Sequence, residues 1–227
     1  MIVRGTTEQL EAKAAWILVE IIQGLLETTS QVTVAVPGGR SVSGIFKKLA
    51  EHDIDWSRVH FFMVDERLVP LDHPESNFRL VSDALGETVP ATSLHPFVLK
   101  ENAIDEGVGD YQRELLTFGG RFDVVLVSSG EDGHIAAIFP DHFETAQSGE
   151  KFMRLEHAPK LPSRRMSATP ELIAASQVGL VLFFGGGKGR ALKRFFNSEL
   201  TVSQCPAKLI SSLPQHYILT DLEVIPL

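Results

Sequence analysis

The sequence predicts an α/β protein: an open, mainly parallel sheet with helices on both faces, in a three-layer sandwich of a modified Rossmann type. The first observation is a series of short apolar runs of strand length, such as Val32–Val36. The second is that amphipathic helical stretches alternate with these runs, which is the pattern of sheets covered on both faces. The third is that glycine-rich turns directly follow two of the runs, at Gly38 and at Gly185.

The elements follow in order along the chain. Thr7–Leu26 carries apolar residues three and four positions apart, which predicts a helix with Thr6 or Thr7 as its cap. Val32–Val36 predicts a strand, and after a glycine turn a helix is expected over about 41–50. The later predictions are a strand at 59–64, a helix at Asn77–Leu85, strands at 123–127 and 178–184, and a helix ending near Phe196.

Composition sets broad limits on function. The 227 residues fit a single domain over 1–227, and the formal net charge of −8 disfavours a nucleic-acid partner. No run is apolar enough for a membrane span, and the N-terminal residues do not have the order of a secretory signal. The single cysteine, Cys205, suits a reducing compartment, so a cytoplasmic setting is expected.

Ligands of open α/β sheets bind beyond the carboxyl ends of the strands, so the loops after Val36, Val64, Val127 and Phe184 are expected to line one crevice. The first loop contains four candidate phosphate-binding residues, whose backbone N–H groups lie at a helix start: Gly38, Gly39, Arg40 and Ser41. The loop matches neither a Walker motif nor a dinucleotide fingerprint. A tight structural turn is an equally good interpretation of this loop alone.

Charged residues follow two other predicted strands. Asp65 and Arg67 come directly after an apolar run, where the guanidinium can hold a phosphate while a neighbouring carboxylate orients it. Lys188 follows three glycines at a helix start and can reach a phosphate as a point charge, and Arg165 adds local positive charge. Taken singly, each has a simpler interpretation as a surface ion pair or a solvated side chain.

The segment Gly130, Glu131, Asp132, Gly133, His134 is the strongest local signal. Such a turn can hold the His134 imidazole beside the Asp132 carboxylate, which is what a general base working near neutral pH requires. The alternative is an acidic turn with an incidental histidine. No HExxH or CxxC grouping is present, so neither a metal site nor a cofactor is predicted.

Taken together, these motifs resemble the 6-phosphogluconolactonase family, which shares its fold with glucosamine-6-phosphate deaminases and isomerases. The resemblance rests on four ordered segments: the DER motif within 54–85, GEDGH followed by Phe139 and Pro140, RMSATP at 165–170, and the glycine-rich lysine turn at 185–188. The chain departs from the family's pattern at Arg40 and Val42 in the phosphate loop, and at Ser128 and Ser129 before Gly130.

The resemblance implies hydrolysis of 6-phosphogluconolactone, with a phosphorylated sugar lactone as the small-molecule partner and no cofactor. It assigns His134 and Asp132 to the reacting centre. It assigns Gly38, Gly39, Ser41, Arg67, Arg165 and Lys188 to the phosphate. A monomer and a small homo-oligomer both remain open.

Two other functions stay open as alternatives. Deaminases and isomerases of amino-sugar phosphates carry a glutamate five residues after the motif histidine, where this chain has Phe139. Related domains also act as sugar-phosphate sensors in transcription regulators, which need an attached DNA-binding segment, and this sequence has no basic helix-turn-helix stretch.

Overall fold

The computed structural model describes residues 1–141 and 149–223, with the side chain of Arg40 outside that description. The elements in chain order are β1 (Ile2–Arg4), α1 (Thr7–Leu26), β2 (Val32–Val36), α2 (Arg40–Leu49), β3 (Val59–Met63), β4 (Asp65–Arg67), α3 (Asn77–Leu85), β5 (Leu94–His95), α4 (Val108–Thr117), β6 (Val124–Ser128), β7 (Phe152–Leu155), β8 (Arg165–Ala168), α5 (Pro170–Ala174), β9 (Val178–Phe183), α6 (Gly189–Phe196) and β10 (Gln215–Thr220).

Seven strands form one sheet in the order β1-β10-β9-β6-β2-β3-β5, and every pair in it is parallel. From β2 the chain builds outward through β3 to β5, then returns to place β6 on the other side of β2 and builds outward again through β9 to β10. The order therefore reverses between β2 and β6. Ligand crevices open at such switch points, beyond the carboxyl ends of the two strands.

The central strands are buried along their whole length. Every residue of β2 and of β9 is buried, which requires cover on both faces of the sheet. Helix α1 begins with a capping box in which Thr6 and Gln9 exchange hydrogen bonds, and it buries the apolar stripe predicted from its spacing. The predicted α/β class is confirmed. In the part of the chain that the structure describes, no helix is long and apolar enough to cross a membrane.

A second, three-stranded antiparallel sheet, in the order β4-β8-β7, was not predicted. Its first strand holds the charged triplet 65–67, and its middle strand begins at Arg165. Strand β7 adds buried side chains to the core, among them Phe152 and Leu155. Residues 142–148 lie outside the described residues.

Candidate active site

A cavity of about 830 Å³ opens at the switch point of the sheet. All four predicted loops contribute to it, so the expectation of one shared crevice is confirmed. Four described cationic side chains line the cavity in a protein of net charge −8: Arg67, Lys160, Arg165 and Lys188. Three acidic side chains, Glu11, Asp65 and Glu131, also line it. The cavity therefore has a local cationic lining suited to an anionic ligand.

The loop after β2 brings the start of α2 to the cavity. Gly39, with φ +98°, has a left-handed conformation that favours glycine and immediately precedes the helix. A Cβ on Gly38 would lie 2.0 Å from the Asn77 side-chain oxygen, so only glycine fits this packing. Gly38, Gly39 and Ser41 all line the cavity. Helix N-termini of this kind bind anions through their N–H groups.

Strand β4 places Asp65 and Arg67 at the cavity. Asp65 is buried, and burial raises the pKa of its carboxyl group although the charges of Arg165 and Arg67 oppose that rise. Glu75 orients the Arg67 side chain, because its backbone oxygen accepts a hydrogen bond from Arg67 Nη1 at 2.7 Å. The orienting carboxylate that we expected is thus the side chain of Glu75, at 3.4 Å, rather than an adjacent acid.

Glu66, between these two residues, has a structural role. Its carboxylate accepts hydrogen bonds from the backbone N–H groups of Asn77 and Phe78 at 2.8 and 2.7 Å, and from the Ser76 hydroxyl at 3.1 Å. It thereby occupies the N-terminus of α3, where a negative charge is favourable. Asn77 in turn donates to the backbone oxygen of Asp65 at 2.9 Å and lines the cavity.

The turn after β6 holds the His134–Asp132 pair. His134 Nδ1 lies 2.5 Å from Asp132 Oδ1, which also accepts the His134 backbone N–H at 3.2 Å. Burial alone would raise the pKa of Asp132, but the hydrogen bond and charge of His134 outweigh it and hold the pKa well below its usual range. Asp132 is therefore ionised and accepts a hydrogen bond from the Nδ1–H group. In the neutral imidazole, Nε2 is then left unprotonated.

Two glycines make this turn possible. A Cβ on Gly130 would lie 2.0 Å from two atoms of the His134 ring, so the imidazole occupies the space that any side chain there would fill. Gly133 has φ +96°, and its carbonyl accepts the Ala207 N–H at 3.0 Å. The buried Cys205 packs against it, because a Cβ on Gly133 would lie 2.9 Å from Cys205 Sγ. A later segment of the chain thus supports the turn.

Arg165 lines the cavity and is nearly fully buried. Its Nη1 is 3.8 Å from Asp65 Oδ2, and its Nε donates to the Pro162 carbonyl at 2.9 Å. Its Nη2 donates to the carbonyls of Lys160 and Leu161 at 3.4 and 3.3 Å. Burial lowers the pKa of Arg165, and Asp65 opposes this, but a guanidinium remains charged in proteins. One cation therefore fixes both β4 and the loop 160–162.

Lys188 reaches the cavity from the turn after β9. Its ammonium donates to the carbonyl oxygen of Ser129, in the loop that leads to Gly130. Burial lowers the pKa of Lys188, and the nearby charge of Lys160 lowers it further. Ser129, one of the two departures from the family's pattern before Gly130, is buried and donates its hydroxyl to the Gly130 carbonyl at 2.9 Å.

The family described as glucosamine-6-phosphate isomerases/6-phosphogluconolactonase matches residues 5–218. The chain belongs to this family. A 6-phosphogluconolactonase of Borreliella burgdorferi is 33% identical over 199 residues, covering 84% of this chain and 84% of that protein. A 6-phosphogluconolactonase of Thermotoga maritima is 32% identical over 169 residues, covering 74% of this chain and 76% of that protein. The resemblance inferred from the motifs is confirmed.

The fold of the family is found in solved structures as well. The crystal structure of the Thermotoga maritima 6-phosphogluconolactonase superposes with a TM-score of 0.82, covering 97% of each chain at 24% identity. At this identity the likeness shows the shared fold, including the mostly parallel sheet on which the cavity is built.

Most of the predicted site residues of this family member meet at the cavity. Eight of the ten line it: Gly38, Gly39, Ser41, Asp65, Arg67, His134, Arg165 and Lys188. Asp132 lies behind His134, and the side chain of Arg40 is outside the described part of the structure. Sequence reasoning missed Lys160 and Asn77, which also line the cavity. Asn77 follows the DER motif at a helix start, but nothing in its local pattern indicated a contact with Gly38.

Proposed function

We propose that this chain hydrolyses the ring ester of 6-phospho-D-glucono-1,5-lactone to give 6-phospho-D-gluconate. The observation that carries the proposal is the Asp132–His134 pair at 2.5 Å, with the imidazole facing a cavity lined by cationic side chains. Two relatives at 33% and 32% identity bear the name 6-phosphogluconolactonase, which supports the same reaction here.

In the proposed mechanism, His134 Nε2 removes a proton from water as the water oxygen attacks the lactone carbonyl carbon. The carbonyl electron pair moves onto its oxygen, giving a tetrahedral oxyanion beside an imidazolium that Asp132 stabilises. When the intermediate collapses, the carbonyl re-forms and the bond to the ring oxygen breaks. His134 then returns the proton to that oxygen, so no covalent enzyme intermediate is needed.

We propose that the phosphate binds between the loop after β2 and the cations of the small sheet. The backbone N–H groups of Gly38, Gly39 and Ser41 supply donors at the start of α2, and Arg67 supplies a guanidinium whose orientation Glu75 fixes. Arg165 and Lys188 add positive charge from the sides of the cavity. Arg165 acts chiefly as a positioning residue, since three loop carbonyls accept its hydrogen bonds.

The position five residues after His134 favours the lactonase over the deaminase or isomerase. Phe139 is buried there, with its ring centroid 4.6 Å from that of His134. Ring opening and aldose–ketose transfer need a further acid–base group, and a phenyl ring supplies none. Phe139 instead packs against the imidazole and helps to hold its orientation.

The test is hydrolysis of freshly generated 6-phosphogluconolactone, corrected for spontaneous opening, by the wild type and by His134→Ala. We expect His134→Ala to lower kcat about 10²–10⁴-fold while the product still binds. Unphosphorylated gluconolactone is the matched substrate control and should be hydrolysed poorly by the wild type. Equal rates for wild type and His134→Ala would refute the assignment of the base.

The same assay separates the enzyme from a sugar-phosphate sensor. A sensor would bind 6-phosphogluconate without accelerating lactone hydrolysis, and His134→Ala would leave that binding intact. An enzyme shows acceleration that disappears with the imidazole.

A further inference from the structure

Lys160 lies in the cavity but has no part in the mechanism above. Its ammonium is 3.6 Å from Asp132 Oδ2, while the other oxygen of the same carboxylate holds His134. The side chain is about half-exposed, at 44%, and lines the cavity. Within the described residues, the one ion pair that Lys160 forms is this contact with Asp132. The ammonium therefore lies beside the proposed reacting centre.

The backbone that carries Lys160 is fixed. The buried Arg165 donates hydrogen bonds to the carbonyls of residues 160, 161 and 162. These three bonds hold the loop at successive peptide groups, and Asp65 holds the guanidinium from the other side. Since the loop cannot shift without breaking contacts to a buried cation, the ammonium is presented to the cavity from a defined position.

The charges of the proposed step suggest what this ammonium does. Water attack creates two new charges at once, a positive imidazolium and a negative lactone oxygen. The imidazolium is matched by Asp132, so the oxyanion needs a cation or a set of N–H donors. Lys188 is less suited to this, because its ammonium is already hydrogen-bonded to the Ser129 carbonyl.

We infer that Lys160 contacts the lactone carbonyl oxygen and stabilises its negative charge in the tetrahedral intermediate. This inference rests on the proposed function. At that point the charges alternate along one line of contacts: oxyanion, Lys160, Asp132, imidazolium. A phosphate dianion at Lys160 would instead bring two negative charges close to the Asp132 carboxylate. Lys160 is thus a catalytic residue at the reacting end of the substrate, separate from the phosphate-binding groups.

The experiment compares Lys160→Met, which keeps the length of the side chain without its charge, with Lys160→Arg, which keeps the charge. Lys13→Met is the matched control, since Lys13 lies over the Trp16 ring on α1, away from the cavity. We expect Lys160→Met to lower kcat about 10- to 100-fold, less than a fully buried donor would, because the site is partly solvated. Lys160→Arg should recover part of the loss, and Lys13→Met should match the wild type.

Binding measurements separate three possible roles. The product 6-phosphogluconate carries a carboxylate at the reacting carbon, whereas 1,5-anhydroglucitol 6-phosphate has the same phosphate and no exocyclic oxygen at that carbon. Calorimetric titration should show that Lys160→Met weakens binding of the product and leaves binding of the anhydro compound unchanged. Equal weakening of both would make Lys160 a phosphate ligand and overturn the inference. An equal loss of kcat in Lys160→Met and Lys160→Arg, with neither affinity changed, would also overturn it, because the positive charge would then not be what the reaction requires.

The assay gives a different result if the proposed function is wrong than if only the role of Lys160 is wrong. If the wild type does not accelerate lactone hydrolysis, the enzyme assignment itself fails. If the wild type is active and Lys160→Met equals it in kcat and in both affinities, the lactonase stands and only the role of Lys160 is lost.

Discussion

Among the residues that the structure describes, two histidine–carboxylate pairs have nearly the same geometry and very different surroundings. His134 Nδ1 is 2.5 Å from Asp132, in a turn beyond the carboxyl end of β6. His95 Nδ1 is 2.7 Å from Glu114, and its Nε2 is 3.0 Å from His60 Nδ1, so both of its nitrogens are engaged. The His95 ring stacks on Phe62 at 4.3 Å. Of these two histidines, only His134 has a ring nitrogen left for a ligand.

A short histidine–carboxylate contact does not by itself leave an imidazole free to act as a base. The pair at His95 lies on strand β5 within the sheet, where aromatic rings and a second histidine enclose it. The pair at His134 lies at the switch point, where the sheet ends and cations gather. Position in the topology, rather than the pair itself, is what leaves the His134 imidazole facing the cavity.

The sharpest test makes the same chemical change at both pairs. Asp132→Asn replaces the ionised acceptor with an amide that can donate to Nδ1 and so place the proton on Nε2, and kcat should fall about 10²–10⁴-fold. Glu114→Gln is the matched variant and should retain the wild-type kcat. Both are measured by lactone hydrolysis. Equal losses of kcat in the two variants would mean that the assay reports damage to the fold rather than loss of the base.

A second test uses the space that the His134 imidazole needs. Gly130→Ala would put a Cβ 2.0 Å from the His134 ring, which must move, and misplacement of this order costs about 10²-fold in rate. Gly24→Ala is the control, because nothing lies within 4 Å of its Cβ in α1, and it should stabilise the helix by about 1 kcal/mol. Wild-type kcat in Gly130→Ala would show that the imidazole position is not critical.

The converse test removes the enclosed imidazole. His95→Ala leaves a void against Phe62 and removes the partner of Glu114, so the free energy of unfolding should fall by about 2–4 kcal/mol. Urea unfolding measures this, and kcat per folded molecule should stay at the wild-type value. His134→Ala, by contrast, should unfold at nearly the wild-type urea concentration. A large loss of kcat in folded His95→Ala would connect the two regions and weaken the contrast.

The smallest expected effect is a dependence of stability on pH from His60. Burial, and then the neighbouring His95, lower the pKa of His60 below 6.5 in the folded protein. The unfolded chain then binds more protons than the folded one, so stability should decrease as the pH falls below about 6.5, by at most about 1.4 kcal/mol per pH unit. His60→Asn keeps a donor toward His95 without titrating, and should flatten this slope. An unchanged slope would assign it to other groups.

Local sequence patterns predicted four of the seven strands of the large sheet, β2, β3, β6 and β9, and the loops of the site, because the signals for these are local. The strands β1, β5 and β10 were not predicted. Apolar runs such as Val32–Val36 indicate buried strands, and the glycines around His134 indicate the turn. The pairing of β4 with β8 joins residues about 100 positions apart, such as Asp65 with Ser167, and no local pattern encodes it. Lys160 was missed for the same reason, since its place in the cavity depends on Arg165 and on β8.

The position of β6 in the sheet has a further consequence, for folding. Residues up to His95 supply β2, β3 and β5 on one side of the cavity, and residues from Val124 supply β6, β9 and β10 on the other. The buried pair of Asp65 and Arg165 also joins a residue of the first half to one of the second. Neither half of the chain can assemble the cavity alone. Catalytic turnover therefore requires both halves of the chain to be folded together. Two separately expressed halves should become active only when they associate.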